Sequence, residues 1–370
     1  MKNMKILICA GDPSGDLHAS NLARAIKQKN KDIEIIAIGG EKLAAVSDKF
    51  LFNLVNLQVH GFFAPLRQYF NLKKVLTGII NPLLKSSPPD IVIPVDYYGF
   101  NIELAKLSKS FNIPVYYFIS PQVWASRKNR IKKIKKYVGH MMVIFPFEKE
   151  IYEKAGIPVT FIGHPMLDII PEAPGQPAVE KKNADFKIGI YPGSRKQVIS
   201  WNLPVMEKTA GLIKQQLPNA KFFVAGMSIQ KGNYNTKLDV MYDPNYSFRR
   251  QLDLAITVSG TVTLENALLG TPMIVVYRLP VLMYHLIKSM VLISQICIVN
   301  FIAGKSTVPE FIQKDAQPEK IAQVAVIWLK NRAILNEKKN LYNKLRGLLG
   351  GSGATGKAAD LIINKLEKQG

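Results

Sequence analysis

Short runs of β-branched and aromatic residues alternate with helix-length segments along nearly the whole chain. In its first half the runs are MKILICA (4–10), EIIAIGG (34–40), DIVIPVD (90–96), PVYYFIS (114–120), HMMVIFPF (140–147) and PVTFIGHP (158–165). Segments of helical character lie between them, at about 17–29, 66–85 and 102–110, with a strongly basic one inside 124–137. Strands this apolar, separated by helices, form a parallel sheet covered on both faces. PEAPGQPAVEKKNAD (171–185) interrupts the alternation and reads as a linker, being rich in Pro, charge and small residues. The pattern then restarts with FKIGIYPGSR (186–195), a helix from about 203 to 217, and the strand candidates KFFVAG (221–226), DLAITVSG (253–260) and TPMIVVYR (271–278). The expectation is an α/β chain with a domain over 1–170 and a second beginning at 186. Each has a doubly wound parallel sheet, and a ligand is gripped in the cleft between them. At 370 residues the chain is long enough for two such cores.

The charge narrows the partners. Lys and Arg total 49 against 27 Asp and Glu, a net +22, which draws the chain toward nucleic acid, phosphorylated metabolites or acidic lipid headgroups. The two cysteines, Cys9 and Cys297, have no neighbour at metal-ligand spacing. The five histidines are scattered, so neither a disulfide framework nor a metal site is expected, and a reducing cytoplasm fits. The apolar run at the N-terminus is too short for a signal peptide. The most apolar long stretch, residues 281–299, is interrupted by His285 and Lys288 and reads as a buried or membrane-lying helix.

Four turns carry the candidate chemistry, each at the carboxyl end of an expected strand, where ligands of open parallel sheets bind. In YPGSR, Gly193 allows close backbone approach, Ser194 follows it, and Arg195 offers a fork for phosphate. In VSGTVTLE, Ser259, Gly260 and Thr261 open a helix whose free N–H groups suit a diphosphate. Glu265, one turn in, is placed for ribose hydroxyls. In AGDPSGD, Asp12, Ser14, Gly15 and Asp16 form a tight turn that lacks the full dinucleotide glycine pattern. In VDYYGFN, Asp96 is either a general base or the N-cap of a helix starting near Ile102. GSGATGKA (351–358) imitates a phosphate-binding loop, but Ala358 stands where a magnesium-binding hydroxyl belongs and no strand precedes it.

In WASRKNRIKKIKKY (124–137), half the residues are Lys or Arg, and Ile131, Ile134 and Val138 form a narrow apolar stripe. Arg127, Lys132, Lys133 and Lys136 thus face either solvent or an anionic surface. Aromatics only bracket the run, which argues against nucleic acid.

Together these segments resemble the lipid-A-disaccharide synthase family. The resemblance rests on AGDPSGDLH, on the block SPQVWASRKNRIKKIKKYVGHMMVIFPFEKEIYEKAGIPVTFIGHP, on YPGSRKQ, on SGTVTLENALLGTPMIVVYR and on VNFIAGKSTVPEFIQ, and covers most of residues 1–320. Asp12, Ala64, Gly99 and Val198 depart from the family's usual residues. The resemblance implies a GT-B architecture. The acceptor domain would be 1–170, the UDP-sugar domain 186–345, and a last helix within 346–370 would cross back to the first domain. It implies an inverting, metal-independent transferase with no cofactor, joining UDP-2,3-diacylglucosamine to 2,3-diacylglucosamine 1-phosphate. Asp96 would then be the base with Asp12 beside it, and Arg195 would act on the leaving group. Ser14, Gly15, Asp16, Gly193, Ser194, Ser259, Gly260, Thr261, Glu265 and Asn300 would bind substrate. Phe62, Phe63, Arg67 and the basic helix would dock on the anionic inner membrane from the cytoplasmic side. A homodimer is compatible with the family and nucleic acid is not a partner. The rival expectations are another UDP-sugar enzyme of the same architecture, such as a lipid-linked N-acetylglucosaminyl transferase or a 2-epimerase, and an inert membrane- or RNA-binding relative.

Overall fold

The computed structural model describes residues 4–57, 64–124, 129–170, 185–226, 234–290 and 295–368. Phe62, Phe63, Arg127 and nearly all of the expected linker lie outside these residues, as do the side chains of Ala64 and Arg67. The chain divides into two compact units, Met1–Asp168 with Leu349–Gly370, and Ile169–Leu348.

The first unit contains β1 (Lys5–Ala10), β2 (Glu34–Gly39), β3 (Lys49–Asn53), β4 (Ile91–Val95), β5 (Tyr116–Phe118), β6 (His140–Val143) and β7 (Val159–Phe161). They form one parallel sheet in the order β3-β2-β1-β4-β5-β6-β7. Ile6 to Ala10 and Ile91 to Ile93 are wholly buried, as central strands covered on both faces must be. The covering helices are α1 (Pro13–Lys29), α2 (Glu41–Ala44), α3 (Ala64–Val75), α4 (Asn81–Ser86), α5 (Tyr98–Ser110), α6 (Arg130–Tyr137), α7 (Pro146–Lys154) and the short α8 (Met166–Ile169). One π-helical turn, Leu76–Ile80, joins α3 to α4. In α6, Ile134 and Val138 are buried and Ile131 packs on the core, while Lys132, Lys133, Lys135 and Lys136 stand exposed.

The second unit repeats the plan with β8 (Lys187–Tyr191), β9 (Lys221–Ala225), β10 (Asp239–Met241), β11 (Leu254–Thr257), β12 (Met273–Tyr277) and β13 (Glu310–Ile312). The order is β10-β9-β8-β11-β12-β13, again all parallel. Its helices are α9 (Lys196–Gln216), α10 (Thr261–Leu268), α11 (Val281–Met290), α12 (Ile298–Ala303), α13 (Pro318–Lys330) and α14 (Arg332–Leu348). Among the described residues no helix is long and apolar enough to cross a membrane.

Three helices start earlier than the sequence suggests, and the reasons are local. Pro13 occupies the first turn of α1 behind the Asp12 cap, so the AGDPSGD turn is already helix. The first turn of α5 takes in Tyr98 to Asn101, and its N-cap is Tyr97, not Asp96. The helix expected from about 203 begins at Lys196, so that Pro204 lies inside α9. There Asn202 donates to Val198 O and exchanges two hydrogen bonds with the backbone of Arg278, tying that turn to the end of β12.

The last helix, α15 (Ala354–Glu367), belongs to the first unit, where it packs on α1 and pairs Asp360 with Lys29 at 2.8 Å. Its first turn settles the GSGATGKA question. The Asp168 carboxylate accepts from Gly353 N at 2.5 Å and Thr355 N at 2.9 Å, so the N–H groups a phosphate would need are taken. Asp168→Ala removes this cap, and a loss of about 0.5–2 kcal/mol, read as a lower urea midpoint, is expected.

Candidate active site

Each sheet reverses its strand order once, between β1 and β4 in the first unit and between β8 and β11 in the second. Crossovers on the two sides of such a point run to opposite faces, which leaves a crevice at the carboxyl ends of the two strands. Ala10 is paired with Val95 and Tyr191 with Thr257, so all four candidate turns leave the sheets from these two points.

In the first unit the crevice is built around a strained turn. Asp96 and Tyr97 both adopt left-handed backbone, φ 45° and 44°. Asp tolerates this conformation, but an aromatic residue does so only at a cost of about 1–3 kcal/mol. Four hydrogen bonds and one packing contact hold it. Asn101 Nδ2 donates to Val95 O at 3.0 Å and to Asp96 O at 2.8 Å. The Tyr117 hydroxyl also donates to Asp96 O. Asp96 N donates to Phe118 O at 3.1 Å. Finally, the Tyr97 ring occupies the space a side chain at Gly11 would need, with ring carbon only 2.0 Å from an ideal Cβ there. Gly11 is thus required by what lies above it.

This turn holds the Asp96 carboxyl half-buried, near Asp12. Burial pushes its pKa up to about 7 and the neighbouring Asp12 charge pushes the same way, against a smaller opposing hydrogen bond from Tyr97 N. Asp12 caps α1, accepting from Gly15 N at 2.7 Å, while Ser14 is exposed at the helix mouth. Asp16 turns inward. Its carboxylate accepts from Gly40 N, Lys42 N and Leu43 N at 2.7–3.2 Å and caps α2, so it serves the scaffold and is not open to a ligand.

Sequence reasoning passed over the neighbouring network. Glu148, only 1% exposed, accepts from Ser120 Oγ at 3.0 Å, Trp124 Nε1 at 3.2 Å, and the N–H groups of Ile144 and Phe145. The Tyr152 hydroxyl lies 3.0 Å from the same Ser120. Burial pushes the Glu148 carboxyl up to about 7 against those four donors. The network fastens the loop after β5, where Ile119 is again left-handed at φ 65°, to the start of α7. Its signal was present in FPFE, a capping sequence at the start of α7. His164 also belongs to the scaffold: it is buried, its Nδ1 accepts from Met166 N, and burial pushes it down to about 3.

In the second unit, Gly193 has φ +107° and a Cβ there would meet Val198 at 2.9 Å. That turn leaves Ser194 and Arg195 exposed, with Arg195 as the N-cap of α9. Burial raises the Tyr277 phenol and the Arg195 charge pulls it back, placing that cation near the end of β12. Gly260, at φ +155°, caps α10 with no side-chain hydrogen bond to its first turn, and Gly260 and Thr261 are exposed. Ser259 Oγ donates to Ile296 O at 2.5 Å. Glu265 is held by Arg249, whose Nη2 donates to Oε2 at 2.7 Å while its Nε reaches the Tyr191 hydroxyl at 3.3 Å. Arg249 also stacks over the rings of Tyr191 and Tyr246. No motif marked Arg249. Asn300 is wholly buried, with its amide bonded to Thr307, Val308 and Glu310, so it shapes the segment around it instead of meeting a ligand. Among the described residues, no group of three His, Cys, Asp or Glu could hold a metal ion.

Two all-parallel α/β units with ligand turns at their switch points define the GT-B class of nucleotide-sugar enzymes, and comparison of folds agrees. A putative UDP-N-acetylglucosamine 2-epimerase from Listeria monocytogenes superposes with a TM-score of 0.69 at 13% identity, covering 100% of this chain and 98% of the other. The glycotransferase of kitacinnamycin superposes at 0.62 with 15% identity, covering 98% and 99%. These show the fold alone. The family comes from sequence. The profile of lipid-A-disaccharide synthetase matches residues 6–360. The lipid-A-disaccharide synthases of Trichlorobacter lovleyi and Geobacter metallireducens are 34% and 33% identical, over 98% and 99% of this chain and 98% of theirs. That of Coxiella burnetii is 33% identical over 93% of both. The chain belongs to the lipid-A-disaccharide synthase family and is a hexosyltransferase of lipid A biosynthesis.

The raised Asp96 pKa has a consequence for stability. Between about 4 and about 7 the folded protein binds the Asp96 proton more tightly than the unfolded chain, so this carboxyl costs stability as pH rises through that window. Asp96→Asn keeps a residue that tolerates left-handed backbone and removes the charge. Its melting temperature should exceed that of wild type at pH 8, and the difference should vanish near pH 4.

Proposed function

We propose that the first unit's switch point handles the acceptor and the second unit's the donor. The 6-hydroxyl of 2,3-diacylglucosamine 1-phosphate attacks the anomeric carbon of UDP-2,3-diacylglucosamine. The product is a β-1,6 disaccharide with inverted configuration, and UDP leaves. The observation that carries this reading is Asp96: a carboxyl fixed at the switch point, with a pKa near neutrality and no cation among the causes of its shift. Such a group takes a hydroxyl proton far better than an ordinary carboxylate. Asp12 sustains that basicity, and Ser14 and Gly15 line the mouth of α1.

On the donor side, negative charge grows on the departing diphosphate. Oriented N–H groups at an uncapped helix start and a nearby cation stabilise it without reorganising. Ser259, Gly260 and Thr261 at the head of α10 take the first part, and Gly193, Ser194 and Arg195 the second. Glu265, fixed by Arg249 through one oxygen, offers the other to the ribose hydroxyls. The exposed lysines of α6 attract the protein to the anionic membrane surface that carries both lipid substrates.

Two experiments test this. UDP release is followed in mixed micelles of both lipid substrates. Asp96→Asn should lower kcat by about 10²–10⁴-fold, and Arg195→Ala by about 10²–10³-fold, with UDP still bound by Asp96→Asn. The wild-type rate should fall tenfold per pH unit below about 7, and this limb should be missing from the residual activity of Asp96→Asn. An acid limb unchanged in that variant would reject Asp96 as the base. Separately, reversing Lys132, Lys133, Lys135 and Lys136 to Glu should weaken binding to anionic vesicles at low salt. Normal lipid affinity in that variant would remove α6 from the docking face.

A further inference from the structure

We propose that α11 is a second, apolar membrane-inserting element, which beds the rim of the donor site into the acyl layer of an anionic bilayer. The inference rests on the donor reading of the Ser259 turn.

Val281 is 70% exposed, Leu282 85%, and Met283 and Ile287 40% each, all within ten residues. At 100° per residue, Met283 and Ile287 share one side of the helix with Leu282 on its flank, while His285 and Lys288 stand opposite with Val281, the first residue of the helix, between them. An unpartnered apolar concentration of this kind marks an interaction site.

The chain is fastened to the donor unit just before α11 and again from Ile296 on, residues 291–294 lying outside the described residues. On entry, Arg278 N is held by Asn202, and the backbone of Leu279 exchanges two hydrogen bonds with the amide of Gln313 at 2.8 and 3.0 Å. On exit, Glu310 receives the N–H groups of Ile296 and Cys297, and Ser259 of the candidate diphosphate turn donates to Ile296 O. α11 thus follows the carboxyl end of β12, the neighbour of β11, whose own carboxyl end carries that turn.

Charge selects the occupant. Between Glu265 and Glu310 there is no acidic residue, while Arg278, Lys288 and Lys305 fall within the span. Lys288 is exposed, and its Nζ lies 5.7 Å from the Tyr284 ring centroid, a cation–π contact one turn along the helix that keeps a cation on α11. An apolar face edged only by cations fits an anionic lipid surface. A helix of ten residues is about 15 Å long, too short to span a bilayer core of about 30 Å, but suited to lie in its interface. Both substrates are lipids, so a donor site bedded at headgroup level leaves their acyl chains in the leaflet.

The docking mode predicted for α11 differs from that of α6. Attraction by exposed lysines is screened by salt, whereas buried apolar side chains hold in high salt. Binding to vesicles of phosphatidylglycerol and phosphatidylethanolamine is measured by sedimentation at 0.1 M and at about 1 M NaCl, where screening is nearly complete. Wild type should retain a salt-resistant fraction. Leu282→Asp with Ile287→Asp should lower that salt-resistant affinity at least tenfold, with UDP affinity and turnover in detergent micelles unchanged. Leu282→Trp should be quenched by brominated phospholipid beyond the wild-type tryptophans. Wild-type-like vesicle binding by the double variant, or no added quenching in Leu282→Trp, overturns the proposal. A change of oligomeric state with vesicle binding intact would give this face to a second copy of the chain and overturn it too. Failure of the donor reading is separable: it would show as wild-type protein that does not bind UDP, whatever the vesicles report.

Discussion

A parallel sheet puts the carboxyl ends of all its strands on one edge, and a single reversal of strand order opens that edge where two neighbouring connections part. Both units obey this constraint, and their chemistry follows from it. The β1/β4 reversal brings Asp12 and Asp96 together although 84 residues separate them, and the β8/β11 reversal does the same for Arg195 and Gly260. Neither pair needs a loop of its own to find its partner. The strand register fixes each turn at its first residue, and the helix that follows fixes it at its last.

That rigidity permits strain. Asp96 and Tyr97 in left-handed backbone, with Ile119 on the adjacent strand end, form an unfavourable cluster that would relax in a mobile loop. Buried donors prevent this: Asn101 and Tyr117 converge on the Asp96 carbonyl, and the Glu148 network secures the loop beyond Ile119. The carboxyl is thereby held in a partly dry position it would otherwise leave for water, and its raised pKa follows. On the proposal that Asp96 is the base, stability is given up locally to keep it ready, with the cost carried by well-buried strands on either side.

How much of this could be read in the sequence depends on the range of the interaction. The alternation of strands and helices, the four turns and the apolar stripe of α6 are set by neighbours in the chain, and the sequence displays them. β3, β10 and β13 were missed. They lie at sheet edges, are three to five residues long and are not fully buried, so their composition carries little strand signal. Asp16 and Asn300 look like ligand residues from their motifs, yet both are consumed by backbone N–H and C=O groups of segments they organise. Arg249 shows the opposite failure. It lies in an unremarked stretch, and only the pairing of β11 with β8 brings it to Glu265 and Tyr191. The left-handed pair at Asp96 and Tyr97 was equally hidden, because the contacts that enforce it come from Gly11, Asn101 and Tyr117 on three different elements.

The distribution of charge explains how an acid in a chain with a net +22 can keep a raised pKa. A cation beside Asp96 would lower its pKa by about 1–3 units and weaken it as a base. The causes that set its pKa are burial, Asp12 and one backbone N–H, with no lysine or arginine among them. Cations lie elsewhere, among them those on the exposed face of α6, around α11, and at Arg195 in the other unit's crevice. The proposed attack on a sugar with a diphosphate leaving group would use these opposed environments at once, acid-rich and partly dry where a proton is taken, cationic where charge departs. Two units with separate switch points can meet both demands, whereas in one crevice each set of charges would neutralise the other.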